Sequence, residues 1–172
     1  MFFALKPAAS FLHLLAPLWR RARAAGVAPV PLENAHLTLA FIGALSPEEC
    51  DTASHAGSLI RVPHFDLTLN VTGYWNTGGV IWLGARRPPT PLLDLAADLR
   101  QGLIKRALPV PAPPFIPHVT LARHASHPWD PAAWSVHWPV DRFFLLESVA
   151  ANGIPRYIVR RRYLLQRPSA LS

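Results

Sequence analysis

Apolar and polar residues alternate strictly through Phe65-Asp66-Leu67-Thr68-Leu69-Asn70-Val71, the period of a half-buried β-strand. Short apolar runs at Phe2-Phe3-Ala4-Leu5, stopped by Pro7, and at Val80-Ile81-Trp82-Leu83-Gly84 predict two more strands. Elsewhere the period changes. Phe11, Leu14, Leu15 and Leu18 predict a helix running to about Ala25, with Ser10 as its N-cap. After Pro88-Pro89-Thr90-Pro91, the positions Leu92, Leu95, Ala96, Leu99 and Leu103 predict a helix reaching about Leu108. Between them, Ser46-Pro47-Glu48-Glu49 marks another helix start, with proline at its first position and acids near the positive end of the helix dipole. Phe143–Val149 and Tyr157–Leu165 read as strands on either side of an Asn152-Gly153 turn, so a β-hairpin closes the chain before a short tail.

Two further strands share one pattern. Ala35–Gly43 follows a proline-bracketed approach at Val30–Glu33 and contains His36-Leu37-Thr38-Leu39; His118–Arg123 follows the proline-rich Pro109–Pro117 loop and contains His118-Val119-Thr120-Leu121. Residues two apart on a strand share a face. Each strand therefore presents an imidazole and a hydroxyl on one side and two apolar side chains on the other. The order strand, helix, His-x-Thr strand occurs twice, which predicts a diverged duplication of one α+β unit. No shift in composition marks a boundary, so residues 1–172 are read as one ordinary domain or two small lobes sharing an interface.

The 51% hydrophobic and 16% charged content describes a chain that packs a core. Its net charge of +7 would draw in a polyanion such as RNA, although 15 of the 17 cations are arginine and a GC-rich genome alone would produce that bias. Cys50 is the only cysteine, which excludes an intrachain disulfide and a zinc site built on paired cysteines. The start of the chain has no basic leader, and its apolar stretch is broken by His13 and Pro17. The expectation is a cytoplasmic monomer without a signal peptide or membrane span.

Two histidines facing one another suit hydrolysis of a cyclic phosphodiester, in which water loses a proton while a ribose oxygen gains one. An imidazole titrates near neutral pH, so one partner can be the base while the other is the acid. The Thr38 and Thr120 hydroxyls can donate to the non-bridging phosphate oxygens, where charge grows in the transition state. Neither a metal nor a cofactor is required. Either motif alone would be read as an ordinary surface histidine beside a β-favouring threonine; the pair, in duplicated context, points to a site.

These blocks resemble the 2H phosphoesterase superfamily, and within it the bacterial RNA 2′,3′-cyclic phosphodiesterases, the LigT-like 2′-5′ RNA ligases. The likeness covers Phe2–Leu5, Asn34–Gly43, Gly73-Tyr74-Trp75, Val80–Gly84, Phe115–Arg123 and the closing hairpin with Ser148, Gly153 and Tyr157. It implies a bilobal α+β fold: two pseudo-symmetric antiparallel sheets with helices outside and a central cleft. It also implies hydrolysis of an RNA-terminal 2′,3′-cyclic phosphate to a 2′-phosphate, with His36 as proton donor and His118 as proton acceptor, and reverse 2′-5′ ligation in some members. The RNA partner would include tRNA fragments.

By the same likeness Arg123 binds phosphate, but strict alternation puts it on the face away from His118, so the strand must end or bulge before it. Phe115, Phe3 and Trp75 are candidates for stacking on a terminal base. His13, His55, His64, His124, His127 and His137 are read as surface or structural, and Arg160-Arg161-Arg162 as solvated with a possible contact to the RNA backbone. Rival readings are another cyclic phosphate or small nucleotide as substrate, and a non-catalytic RNA-binding module.

Overall fold

Strand β1 (Phe2–Leu5) is buried along its whole length and leads into helix α1 (Ala9–Ala24) in the computed structural model, which describes residues 1–111, 115–151 and 154–167. The helix starts earlier than its serine suggests. Ala8, not Ser10, is the N-cap; its carbonyl accepts from Phe11 and Leu12 and starts the ladder beneath the buried Phe11. Pro17 sits inside α1 on its exposed side, where the hydrogen bond it cannot donate is lost next to solvent.

A 3₁₀ turn (Leu32–Asn34) precedes β2 (Leu37–Phe41), and α2 (Pro47–Ser58) follows. Here the reading of the start is right: Ser46 accepts from the Glu49 amide while Glu49 accepts from the Ser46 amide, a reciprocal cap contributing about 1 kcal/mol. Next come β3 (Phe65–Leu69), β4 (Val71–Trp75), β5 (Val80–Gly84), α3 (Thr90–Ile104), β6 (His118–Ala122), β7 (Val136–Val140), β8 (Arg142–Ala151) and β9 (Ile154–Leu164). Helix α3 stops four residues short of Leu108, because Ala107 takes a left-handed conformation and the Leu108 amide turns back to the Leu103 carbonyl. The Asn152-Gly153 turn and the last five residues lie outside the described residues.

Seven strands form one antiparallel sheet in the order β4-β5-β6-β2-β1-β8-β9, and β3 pairs with β7 in a second. Strand β7 has no counterpart in the sequence reading, since Pro139 interrupts its alternation; it is tolerated because β7 pairs on one side only. The two expected halves are both present. They are β4-β5-β6 and β2-β1-β8-β9, joined where β2 meets β6 at the single pair Leu37↔Val119. The helices cover one face, over a core that includes Phe3, Leu37, Leu83, Leu99, Val119 and Phe143. The other face is left open, with a small apolar patch of Phe2, Ala4, Phe144 and Leu146 under Tyr157.

Each half carries the same irregularity. Along β1, Phe3 pairs Ala40 but Ala4 pairs Thr38, so Leu39 is an extra residue; along β5, Ile81 pairs Ala122 but Trp82 pairs Thr120, so Leu121 is extra. Both bulges fall directly after the threonine of a His-x-Thr motif. Leu39-Ala40 and Leu121-Ala122 are consequently buried as consecutive pairs, and the next residue, Phe41 or Arg123, returns to the open face.

Candidate active site

Continuing the Leu37↔Val119 pairing places His36 across from Thr120 and Thr38 across from His118, all four on the face opposite the buried Leu37 and Val119. The two imidazoles are thus diagonal neighbours, a relation that spans about 7–8 Å in a regular ladder and somewhat less between Cβ atoms. That leaves room for a phosphate between them.

Each ring is held in the same way. The Nδ1–H of His36 donates to the Asn34 carbonyl at 2.7 Å, and that of His118 donates to the Ile116 carbonyl at 2.7 Å. A carbonyl only accepts, so Nδ1 carries the proton in both and Nε2 is left free for chemistry. Aromatic edges fix the ring planes: Tyr157 meets His36 at 4.7 Å and 72°, and Trp75 meets His118 at 4.6 Å and 80°. Phe2 supports His36 from below at 5.2 Å, while Trp82 backs Trp75 at 5.4 Å. Gly73 makes the second arrangement possible, because a Cβ there would lie 2.0 Å from the Trp82 ring.

Burial pushes His36 down to about 4, opposed by its bond to the Asn34 carbonyl and assisted by the charges of Lys6, His118 and Arg123. His118 is also lowered by burial, with Arg123 adding to the effect against its bond to Ile116. Arg123, which follows the bulge at Leu121, contributes its charge to both shifts. Its position on the open face agrees with the expectation that the strand bulges before it. Among the described residues, neither the Thr38 nor the Thr120 hydroxyl has a protein hydrogen-bond partner, so both remain available to a ligand.

Of the stacking candidates, Trp75 stands against His118. Phe115 lines a groove of about 460 Å³ together with Thr38, Phe41 and His118. Phe3 is corrected: it is fully buried on the helix-covered face against Phe143 and Tyr163, and no ligand on the open face reaches it. The six other histidines are exposed. His137 does have partners that the sequence did not suggest, Asp66 at 3.2 Å and Thr68 at 3.5 Å, both brought to it by the β3–β7 pairing. Among the described residues no three His, Cys, Asp or Glu side chains gather as a metal site would require.

Three residues near the site carried no functional role in the sequence reading. Asn34 accepts from His36 through its carbonyl and donates its side-chain amide to the Pro155 carbonyl at 2.8 Å, tying the His36 turn to β9. Lys6 donates to the Glu33 carbonyl of the same turn at 2.8 Å. Tyr157 reaches His36 from β9, a distance in sequence that no local pattern reveals.

The 2′-5′ RNA ligase superfamily model matches residues 11–152. The chain belongs to that superfamily, the 2H phosphoesterases. It is 39% identical over 139 residues to the RNA 2′,3′-cyclic phosphodiesterase of Escherichia coli (strain K12), covering 80% of this chain and 79% of that protein. The phosphodiesterase of the same name from Thermus thermophilus is 34% identical over 154 residues, covering 82% and 77%. The crystal structure of E. coli LigT complexed with 3′-AMP superposes with a TM-score of 0.87 at 34% identity, over 96% of this chain and 97% of that one. The α+β fold expected from the sequence agrees with that structure. No helix among the described residues is long and apolar enough to cross a membrane.

Proposed function

We propose that this protein hydrolyses RNA-terminal 2′,3′-cyclic phosphates to 2′-phosphates, with His36 and His118 as the acid and base. The observation that carries this is the matched pair of imidazoles, each locked through Nδ1 and free at Nε2, on adjacent strands of one open face. The relatives' activity, and 3′-AMP bound to LigT, support an RNA-end ligand.

In this reading the cyclic phosphate lies between the two rings, its non-bridging oxygens accepting from Thr38, Thr120 and Arg123. Nε2 of His118 takes a proton from water as the water oxygen bonds to phosphorus. The bond from phosphorus to the 3′ oxygen breaks, and that oxygen takes the proton carried by Nε2 of His36. A 5′-hydroxyl in place of water would produce a 2′-5′ linkage by the same transfers. Every residue invoked comes from one chain, so a monomer suffices, and the ends of cytoplasmic tRNA fragments are substrates of the required form.

The acid must be protonated, whereas the protein's own surroundings hold His36 neutral at pH 7. The substrate supplies the correction. Its phosphate anion favours the charged imidazole, and the more deeply buried ring, in the lower dielectric, responds most strongly. That ring is His36, which supports its assignment as the acid. A substrate whose 3′-bridging oxygen is replaced by sulfur tests the order, since a thiolate leaves without an acid. It should restore turnover to His36→Ala by at least tenfold and leave His118→Ala inactive; rescue of His118→Ala instead would reverse the roles.

A further inference from the structure

A groove of about 830 Å³ contains neither His36 nor His118. It lies between the start of α1, the β3–β7 pair and the outer strands β8 and β9. We propose that it receives the RNA strand leading up to the cyclic end, along a track from Tyr157 over Val159 to Arg162. This rests on the reading of the site given above and specifies where the rest of that substrate lies.

The track is continuous with the site. Tyr157, Val159 and Arg162 pair with Ser148, Leu146 and Phe144, and the apolar patch of Phe2, Phe144 and Leu146 underlies them, with Phe2 also touching His36. A bulge at Arg160 brings Arg162 onto this face: β9 has one extra residue between the pairs Leu145↔Arg161 and Leu146↔Val159. Strict alternation from Tyr157 would have presented Arg161 instead. Four pairing steps separate Tyr157 from Arg162, about 13 Å, enough for a short stretch of extended strand.

The chemistry along the track suits single-stranded RNA. Arg160 and Arg142 are engaged by Glu147 and Asp141. Arg162 has no carboxylate partner among the described residues; its guanidinium lies 6.0 Å over the Phe144 ring, which leaves its N–H fork for a phosphate. Val159 is 44% exposed, an apolar surface for a ribose or base, and Tyr157 adds an aromatic one. The groove beyond has three cations, Lys6, Arg142 and Arg162, against two carboxylates, and those are paired, Asp66 with His137 and Asp141 with Arg142. The balance favours a polyanion.

Steady-state turnover of adenosine 2′,3′-cyclic phosphate and of oligoadenylates of two, three and four residues with the same end tests the track. Wild type should gain at least tenfold in kcat/KM from one residue to four, and Arg162→Ala and Val159→Glu, both at exposed positions, should each cut that gain several-fold. Wild-type kcat/KM independent of length, or a full gain in both variants, overturns the track and leaves the reaction standing. Failure of every cyclic substrate overturns the reaction, and a binding measurement then still decides the track. For a labelled four-residue RNA ending in a 2′-phosphate, the slope of log affinity against log salt should fall by about 0.7 in Arg162→Ala, one phosphate contact on a single strand. An unchanged slope and affinity overturn the proposal.

Discussion

At the scale of single residues, the site consists of two imidazoles whose Nδ1 protons are committed to backbone carbonyls two positions back. The free protein needs one proton on the pair, and both rings titrate below 6.5, His36 at about 4. As pH rises through the higher of the two values, the one-proton state is lost. The rate constant kcat/KM should therefore peak on the acid side of 6.5 and fall about tenfold per pH unit above its limb. Bound phosphate raises the acid, so the falling limb of kcat should lie at higher pH than that of kcat/KM; coincident limbs would contradict substrate-assisted protonation of His36. The histidines and threonines were legible because a period of two and a repeated tetrapeptide declare a shared face. Asn34, Lys6 and Tyr157 were not, since their parts depend on a carbonyl direction, a turn and a strand over a hundred residues away. Phe3 was misplaced because a run of four apolar residues does not show which of them faces the helices.

At the scale of elements, the two bulges matter most. They bury Leu39-Ala40 and Leu121-Ala122 as pairs and return Arg123 to the face of His118, a consequence visible in sequence only as a conflict between alternation and a role for arginine. Helix ends show why some boundaries were legible and others not. Helix α1 closes with Gly26 in the left-handed region, where glycine carries no strain, and its end falls one position before the predicted Ala25. Helix α3 closes with the same pair of hydrogen bonds around Ala107, whose φ is 57°, and nothing in its identity announces a stop. Ala107→Gly should relieve that conformation and stabilise the protein by about 0.5–1 kcal/mol, raising the melting temperature by a few degrees; a fall in melting temperature would show that unfolded-state entropy outweighs the strain.

At the scale of the whole molecule, the sheet keeps its helices on one side and leaves the other for ligand, so the active face is also the less protected one. A neutral, partly buried imidazole links stability to pH. His36 binds its proton in the unfolded chain near 6.5 but in the fold only near 4. Its contribution is therefore complete above 6.5 and is lost as pH falls from there to about 4, on the order of 3 kcal/mol. Denaturant unfolding across that window should show the loss in wild type and a much shallower slope in His36→Gln. An equal slope in both would assign the acid sensitivity elsewhere.

The measurement closest to the central claim uses protein freed of metal and kept in chelator, incubated with an oligoribonucleotide ending in a 2′,3′-cyclic phosphate and followed by identification of the product phosphate. Wild type should release a 2′-phosphate end, while His36→Ala and His118→Ala, folded by circular dichroism, should each lose at least 10²-fold in kcat. A 3′-phosphate product, turnover only when metal is restored, or full activity in either histidine variant would contradict the two-histidine account.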